Sequence, residues 1–143
     1  METPQQDLAL PPITLTDVDA KRLGALLMTR VGLAYRKEAR RLRETIRRAR
    51  IVDSHSVGSD VVTMSSKVVY EDLVSGERNE VTIVYPWSAR DRSTKNVLSP
   101  IGTALLGLRV GDRIDWPLDD TKTIALRVLS LSYQPEAAGH WHL

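Results

Sequence analysis

In the first third of the chain, hydrophobic side chains recur every three or four positions, which is the spacing of an amphipathic helix. This spacing predicts two helices, over residues 17–29 and 33–50, with an N-cap at Thr16 or Asp17. Gly32 interrupts the pattern and is typical of a tight helix–helix turn. The apolar positions of the second helix are Tyr35, Ala39, Leu42, Ile46 and Ala49. Two short helices with matching apolar faces predict an antiparallel helical hairpin, a short coiled coil roughly 20–27 Å long.

Beyond residue 60 the hydrophobic positions alternate with polar ones, which is typical of strands. One short helix is predicted to begin at Ser99 as N-cap, with Pro100 at the first helical position. Residues 86–96 are predicted to form a charged loop. The predicted fold class is therefore α+β, a helical hairpin followed by an antiparallel sheet that packs on one helix. The four strands are predicted over residues 62–73, 78–85, 113–118 and 123–133.

These patterns divide the chain into three parts. Residues 1–14 contain three prolines and no helical or strand pattern, so we expect a disordered lead. Residues 15–52 form the predicted helical hairpin, and residues 60–143 form the predicted sheet domain. The polar segment between them contains Gly58 and is a natural joint.

Positive charge is concentrated in the hairpin. The 143 residues include 20 bases and 18 acids, a net charge of +2, but residues 21–50 alone hold eleven bases and two acids. Such a charge block suits an acidic partner or nucleic acid, although a solvated helix face explains it as well. The candidate binding residues of this basic helix are Arg36, Arg40, Arg43 and Arg47.

The composition argues against most enzymes. The chain has no cysteine, which excludes disulfides, Cys-ligated metal centres and thiol catalysis. The glycine-rich phosphate-binding, zinc-protease and nucleophile-elbow motifs are absent. The pairs His140 and His142, at the chain end, and Asp119 and Asp120, in a predicted turn, are weak candidates for chemistry. We therefore predict no catalytic residue, no metal site and no cofactor.

Hydropathy bears on the location of the protein. No hydrophobic run approaches the roughly 18 residues of a membrane span. The N-terminus lacks the basic and apolar regions of a secretory signal. We therefore expect a cytoplasmic protein without a membrane partner.

Residues 99–118 (SPIGTALLGLRVGDRIDWPL) resemble the C-terminal domain of the GreA/GreB transcript-cleavage factors. The hallmark of that domain is a Ser-Pro pair, then an Ala-Leu pair, then Gly-Asp before a closing strand. The segments ITLTDVDAKRL, DVVTMSSKV and YQPEAAG extend the resemblance to the branch of regulators of nucleoside diphosphate kinase. Several motifs in the right order carry the resemblance, which covers about residues 13–143.

The resemblance implies a coiled-coil finger followed by an FKBP-like domain, and it implies RNA polymerase as the partner. In this family the C-terminal domain docks at the rim of the polymerase secondary channel, against the β′ subunit, and the finger enters the channel. The family's contact segment corresponds to Ser99, Pro100, Ile101 and Gly102. A helix N-terminus at this position would offer free N–H groups and a partial positive charge to the partner.

The predicted finger tip departs from the family pattern. In the cleavage factors, two acidic residues at the tip hold a metal ion, since Mg²⁺ prefers hard oxygen ligands. Here the tip contains Arg30, Val31 and Gly32 and no acid, and the first carboxylate of the second helix is Glu38. We therefore expect a polymerase-binding regulator that does not stimulate transcript cleavage and competes with the factors that do.

Two alternatives stay open. A nucleic-acid-binding module acting through the arginine-rich helix would need no polymerase, and possible partners would be DNA or RNA. A prolyl isomerase follows only from the FKBP-like fold, which does not imply function. The chain has no Phe and only 3 Trp and 4 Tyr, so it is poor in the aromatic residues that line such pockets.

Overall fold

The helical part of the molecule is closed at its base by two short strands. The computed structural model describes residues 10–141. Strand β1 pairs in parallel with β2, with Leu15 opposite Ile51. This pairing brings the two ends of the helical part together, so that the helices leave and return at one place. The elements in order are β1 (Thr14–Thr16), α1 (Asp17–Leu27), α2 (Arg30–Ala34), α3 (Arg36–Arg48) and β2 (Arg50–Val52).

The second part is a five-stranded sheet with a short helix against it. The strand order is β5-β4-β3-β7-β6, and all neighbours are antiparallel except β4 and β5. The mixture of helices and sheet confirms the α+β class, while the hairpin and FKBP-like descriptions stay predictions. The elements are β3 (Lys67–Asp72), β4 (Arg78–Val84), β5 (Thr94–Asn96), α4 (Pro100–Leu105), β6 (Arg113–Pro117), β7 (Thr123–Tyr133) and α5 (Pro135–Ala138).

Strand β5 corrects the prediction of a purely antiparallel sheet. It lies in the segment predicted as a charged loop, and it pairs in parallel with β4, with Val84 opposite Asn96. Before β5 the chain turns back through a single 3-10 turn at Pro86–Ser88. A three-residue strand is too short to show an alternating pattern, so only its hydrogen bonds to β4 reveal it.

Gly32 does not form the predicted turn between two helices. It is buried inside α2, where a Cβ atom would lie 2.4 Å from the backbone oxygen of Leu27. The first helix ends at Leu27, and a second break occurs at Tyr35, whose φ of −112° and ψ of 62° are not helical. Gly32 therefore permits close packing of α2 against the end of α1.

The predicted lead is partly built into the fold. Residues 1–9 lie outside the described residues, as does His142. Ile13, however, is buried, and the N–H of Thr14 donates to the carbonyl of Gly107 at 3.1 Å. Residues 13 and 14, which the prediction placed in the lead, are thus packed against the second part of the fold.

One hydrophobic core runs through both parts. It includes Leu23 of α1 and Leu42 of α3, together with Ile83 and Leu105 of the second part. Helix α3 contacts α4 directly. The helices therefore bury their apolar faces against the sheet domain as well as against each other. Within residues 10–141, no helix is both long enough and apolar enough to cross a membrane.

Candidate partner-docking site

The N-terminus of α4 is built by the Ser-Pro pair that the sequence singled out. The Ser99 hydroxyl accepts a hydrogen bond from the N–H of Gly102 at 3.1 Å, which caps the helix. The same hydroxyl donates to the carbonyl of Asn96 at 2.6 Å. Pro100 occupies the first turn, where its missing N–H has no intrahelical partner to lose.

The start of α4 is anchored to the end of β5. Gly102 is buried, and a Cβ atom there would lie 2.2 Å from the backbone oxygen of Asn96. The Thr103 hydroxyl donates to the carbonyl of Val97 at 2.5 Å. Ile101 is half-buried against the core. Ser99 and Pro100 are half-exposed, so this anchored backbone leaves part of each side chain open to solvent.

Helix α3 lies beside this segment and forms two small grooves with it. One groove, of about 180 Å³, is lined by Tyr35, Glu38, Leu98, Ser99 and Pro100 among others. A second cavity, of about 210 Å³, lies between α3 and the turn after β6. The structure thus brings the predicted contact residues next to the arginine-rich helix. Across the second cavity, the ammonium of Lys37 lies 3.3 Å from a carboxylate oxygen of Asp120.

The predicted tip residues lie together in α2. Arg30 is exposed, Val31 is half-buried and Gly32 is buried. Their neighbours Met28 and Leu33 are 84% and 66% exposed, so the surface here is apolar and basic. Residues 28–37 contain no carboxylate, and this set of side chains does not fit a Mg²⁺ ion. In the described part of the chain, no group of three or more His, Asp or Glu side chains is arranged to hold a metal ion.

The four arginines predicted as a basic face share one side of α3. Their spacing of four, three and four residues places them on one face, and all four are exposed. Within residues 10–141 none of the four forms an ion pair or a side-chain hydrogen bond. Arg48, by contrast, donates to the carbonyl of Pro11 at 2.6 Å, and burial lowers its pKa. The residues of the exposed face are Arg36, Arg40, Arg43 and Arg47.

Asp19 is a buried carboxylate that the sequence did not single out. It is 3% exposed, and its Oδ2 accepts a hydrogen bond from the N–H of Met64 at 3.0 Å. The pKa of Asp19 is raised to about 6, chiefly by burial and in smaller part by the nearby Glu136 carboxylate. The Thr16 hydroxyl accepts from the N–H of Asp19 at 3.0 Å, the N-cap bond of α1. Asp19 therefore joins α1 to the segment that leads into β3.

A capping signal was visible in the sequence. The Thr-x-x-Asp pattern at residues 16–19 resembles a capping box, in which the fourth residue bonds back toward the cap. In this structure the carboxylate instead reaches a distant backbone N–H, which no local pattern encodes.

A larger groove lies elsewhere, between α1 and the segment after β4. It has a volume of about 530 Å³ and is mainly apolar. The rings of Tyr85 and Trp87 stack with centroids 5.0 Å apart and planes 2° apart, and Trp87 is 70% exposed. Burial raises the pKa of Tyr85 to about 12. The residues that line the groove are Arg22, Ala25, Leu26, Thr29, Ser65, Tyr85, Trp87 and Ser88.

Comparison with known proteins covers both parts of the chain. The family "Transcription elongation factor, GreA/GreB, C-term" matches residues 57–133. The regulator of nucleoside diphosphate kinase from Escherichia coli (strain K12) is 40% identical over 137 residues, 95% of this chain and 100% of that protein. Transcription elongation factor GreA from Oenococcus oeni is 29% identical over 94 residues, 65% of this chain and 58% of that protein.

A solved structure resembles the fold as well. The prokaryotic transcription elongation factor GreA/GreB from Nitrosomonas europaea is 32% identical, with a TM-score of 0.63, and the match covers 86% of this chain and 99% of that chain. The residues matched by the family model, 57–133, include Ser99, Pro100, Ile101 and Gly102. By family match, by full-length relative and by fold, the chain belongs to the GreA/GreB family of transcription elongation factors.

Proposed function

We propose that this protein is an RNA polymerase-binding transcription regulator that docks at the secondary channel and does not stimulate transcript cleavage. Membership of the GreA/GreB family supports the polymerase as partner. The capped N-terminus of α4 supports docking through Ser99, Pro100, Ile101 and Gly102, with the β′ subunit as the contacted chain. In this proposal residues 15–52 act as a finger and residues 60–143 as the docking domain.

The observation that carries the proposal is the chemistry of α2 and its flanks. A second catalytic Mg²⁺ needs carboxylate ligands, and residues 28–37 supply none. Arg30 adds a positive charge that repels a metal ion. Glu38, the first carboxylate after this segment, lines the groove beside Ser99 and Pro100. A protein that occupies the site of a cleavage factor without this chemistry acts as its competitor.

The test is binding to purified core RNA polymerase in the presence of increasing amounts of an authentic GreA. We expect the two proteins to displace each other, and stalled transcription complexes to keep their full-length transcripts when this protein is added. Transcript shortening would refute the absence of cleavage, and binding without displacement would refute the shared site.

A charge substitution locates the docking segment. Pro100→Glu places a carboxylate at the helix N-terminus, where the helix dipole tolerates it, so the fold is kept while the docking surface changes sign. We expect at least tenfold weaker binding to polymerase. Val74→Glu introduces the same charge at a residue that is 80% exposed in the turn between β3 and β4, and it should bind like the wild type. Equal loss in both variants would point to net charge instead of a site.

The exposed face of α3 favours a second candidate, a nucleic-acid-binding module. Four arginines about one helical turn apart, without carboxylate partners in the described residues, match the phosphates of a nucleic acid. Such a module would bind duplex DNA without polymerase, and its affinity would fall steeply with salt. Replacing Arg40 and Arg43 by Gln should lower the slope of log affinity against log salt by about 0.9 per lost phosphate contact. An unchanged slope would show that this face of α3 does not contact the phosphates.

A further inference from the structure

The groove beside Trp87 and the docking segment open at the same end of the sheet. Strands β4 and β5 run parallel, and Val84 stands opposite Asn96 in the register. The N–H of Val97 then donates to the carbonyl of Val84 at 2.8 Å. Two segments therefore leave neighbouring strands at the same end of the sheet. One contains Tyr85 and Trp87, and the other contains Ser99 and Pro100.

The helical part links the two openings. Thr29, just before α2, lines the groove beside Trp87, and Tyr35, just after α2, lines the groove beside Ser99. Helix α2 spans only Arg30–Ala34, so one helical turn separates the two grooves. Met28, just before Thr29, and Leu33, within α2, expose large apolar side chains. Helix α2 therefore joins a residue of one groove to a residue of the other.

The composition of this surface is that of a protein interface. Trp, Tyr and Arg are the residue types most enriched among those that dominate binding energy, and Trp87, Tyr85 and Arg22 meet at one groove. The groove is open along α1 and so suits a chain segment better than a small molecule, which would be largely enclosed. Trp87 presents a flat ring that is held in place by its stack on Tyr85. An exposed, oriented indole loses little entropy when a partner covers it.

We propose that the groove beside Trp87 is a second anchor for the same protein that docks on Ser99 and Pro100, and that it takes an apolar or aromatic side chain of that protein. The inference rests on the proposed function, because the partner is the polymerase. Two anchors separated by α2 would fix the orientation of the docking domain as well as its position. They would also place α2 between them, facing the partner.

The experiment compares two tryptophans that are both exposed. Trp87→Ser should weaken binding to core RNA polymerase at least tenfold. Trp141→Ser is the matched control, since Trp141 is 44% exposed, stacks on His55 and lines neither groove, and it should bind like the wild type. Ala25→Glu places a carboxylate on the opposite wall of the groove and should weaken binding without touching the ring stack.

The outcomes separate the two proposals. If the wild type binds polymerase and Trp87→Ser binds it equally well, the second anchor is overturned and the docking proposal stands. Absence of wild-type binding overturns both. Thermal unfolding of each variant tests whether the fold is kept. If Trp87→Ser does not fold, the binding of Ala25→Glu to polymerase tests the second anchor instead. A wild-type dimer in sedimentation that Trp87→Ser dissociates would show that the groove joins two copies of the chain, which also overturns the proposal.

Discussion

The helical part, residues 14–52, and the sheet part, residues 61–138, share one core but differ in what they present to a partner. The family match lies in the sheet part and its joint, at residues 57–133. There Ser99 and Pro100, the proposed docking segment, are capped, anchored and half-exposed. The helical part carries eleven of the bases and, at α2, no carboxylate. The proposed docking segment and the proposed tip thus lie in different parts of the chain, so a substitution can change one without the other.

The largest expected effect on stability concerns two glycines, Gly102 and Gly32, that lie very close to neighbouring backbone. A Cβ at Gly102 would lie 2.2 Å from the backbone of β5, so Gly102→Ala forces α4 away from the shared core. We expect a loss of about 3 kcal/mol in the free energy of unfolding, measured in urea. Gly32→Ala displaces only α2, whose sole buried residue is Gly32, and should cost about 1 kcal/mol.

Gly24→Ala is the control for both substitutions. A Cβ at Gly24 meets no atom within 4 Å, and the residue lies inside α1. Alanine should therefore stabilise the protein by about 0.5–1 kcal/mol. If Gly32→Ala cost as much as Gly102→Ala, α2 would be held as tightly to the core as α4 is, contrary to this expectation.

Asp19 provides the pH-dependent link between the two parts. Burial raises the pKa of its carboxyl to about 6, above the ordinary value of 3.8, so the folded state prefers the protonated form. Its contribution to stability is fully present below pH 3.8 and is lost as the pH rises through 6. Relative to Asp19→Asn, the wild type should therefore lose about 2–3 kcal/mol between pH 4 and pH 7.

Urea unfolding of both proteins at several pH values measures this difference. The asparagine variant keeps a side-chain oxygen for the N–H of Met64 but cannot ionise. Groups remote from Asp19 are the same in both proteins, so their pH dependence cancels in the difference. Parallel stability curves for the two proteins would show that Asp19 is not buried between α1 and the segment before β3.

The local patterns predicted much of the sheet part. The strand over residues 123–133 has the predicted bounds, and Gly76, with a φ of 79°, lies in the predicted turn between β3 and β4. Ser99 and Pro100 occupy the predicted cap and first-turn positions. These features depend on periodicity and on backbone preferences within a few residues. Such preferences act on their own segment, so the sequence alone reveals them.

Features made by distant contacts could not be predicted in this way. Strands β1, β2 and β5 have three residues each, and pairing across the fold defines them. The burial of Asp19 depends on Met64, and the groove beside Trp87 depends on α1 lying across the end of β4. Thr45 occupies a buried position in α3, where its hydroxyl donates to the carbonyl of Arg41 at 2.9 Å. The candidate docking surface combines both kinds of feature, so only its Ser-Pro segment was visible beforehand.

The ion pair between Lys37 and Asp120 is the weakest test of the connection between the two parts. It joins α3 to the turn after β6 at 3.3 Å, but its side chains are 65% and 77% exposed. Solvent screens such a pair, and holding two long side chains costs entropy, so a double-mutant cycle with Lys37→Ala and Asp120→Ala should give at most about 0.5 kcal/mol. The coupling should vanish in high salt. A coupling of several kcal/mol would mean that charge, and not the shared apolar core, holds the helical part against the sheet.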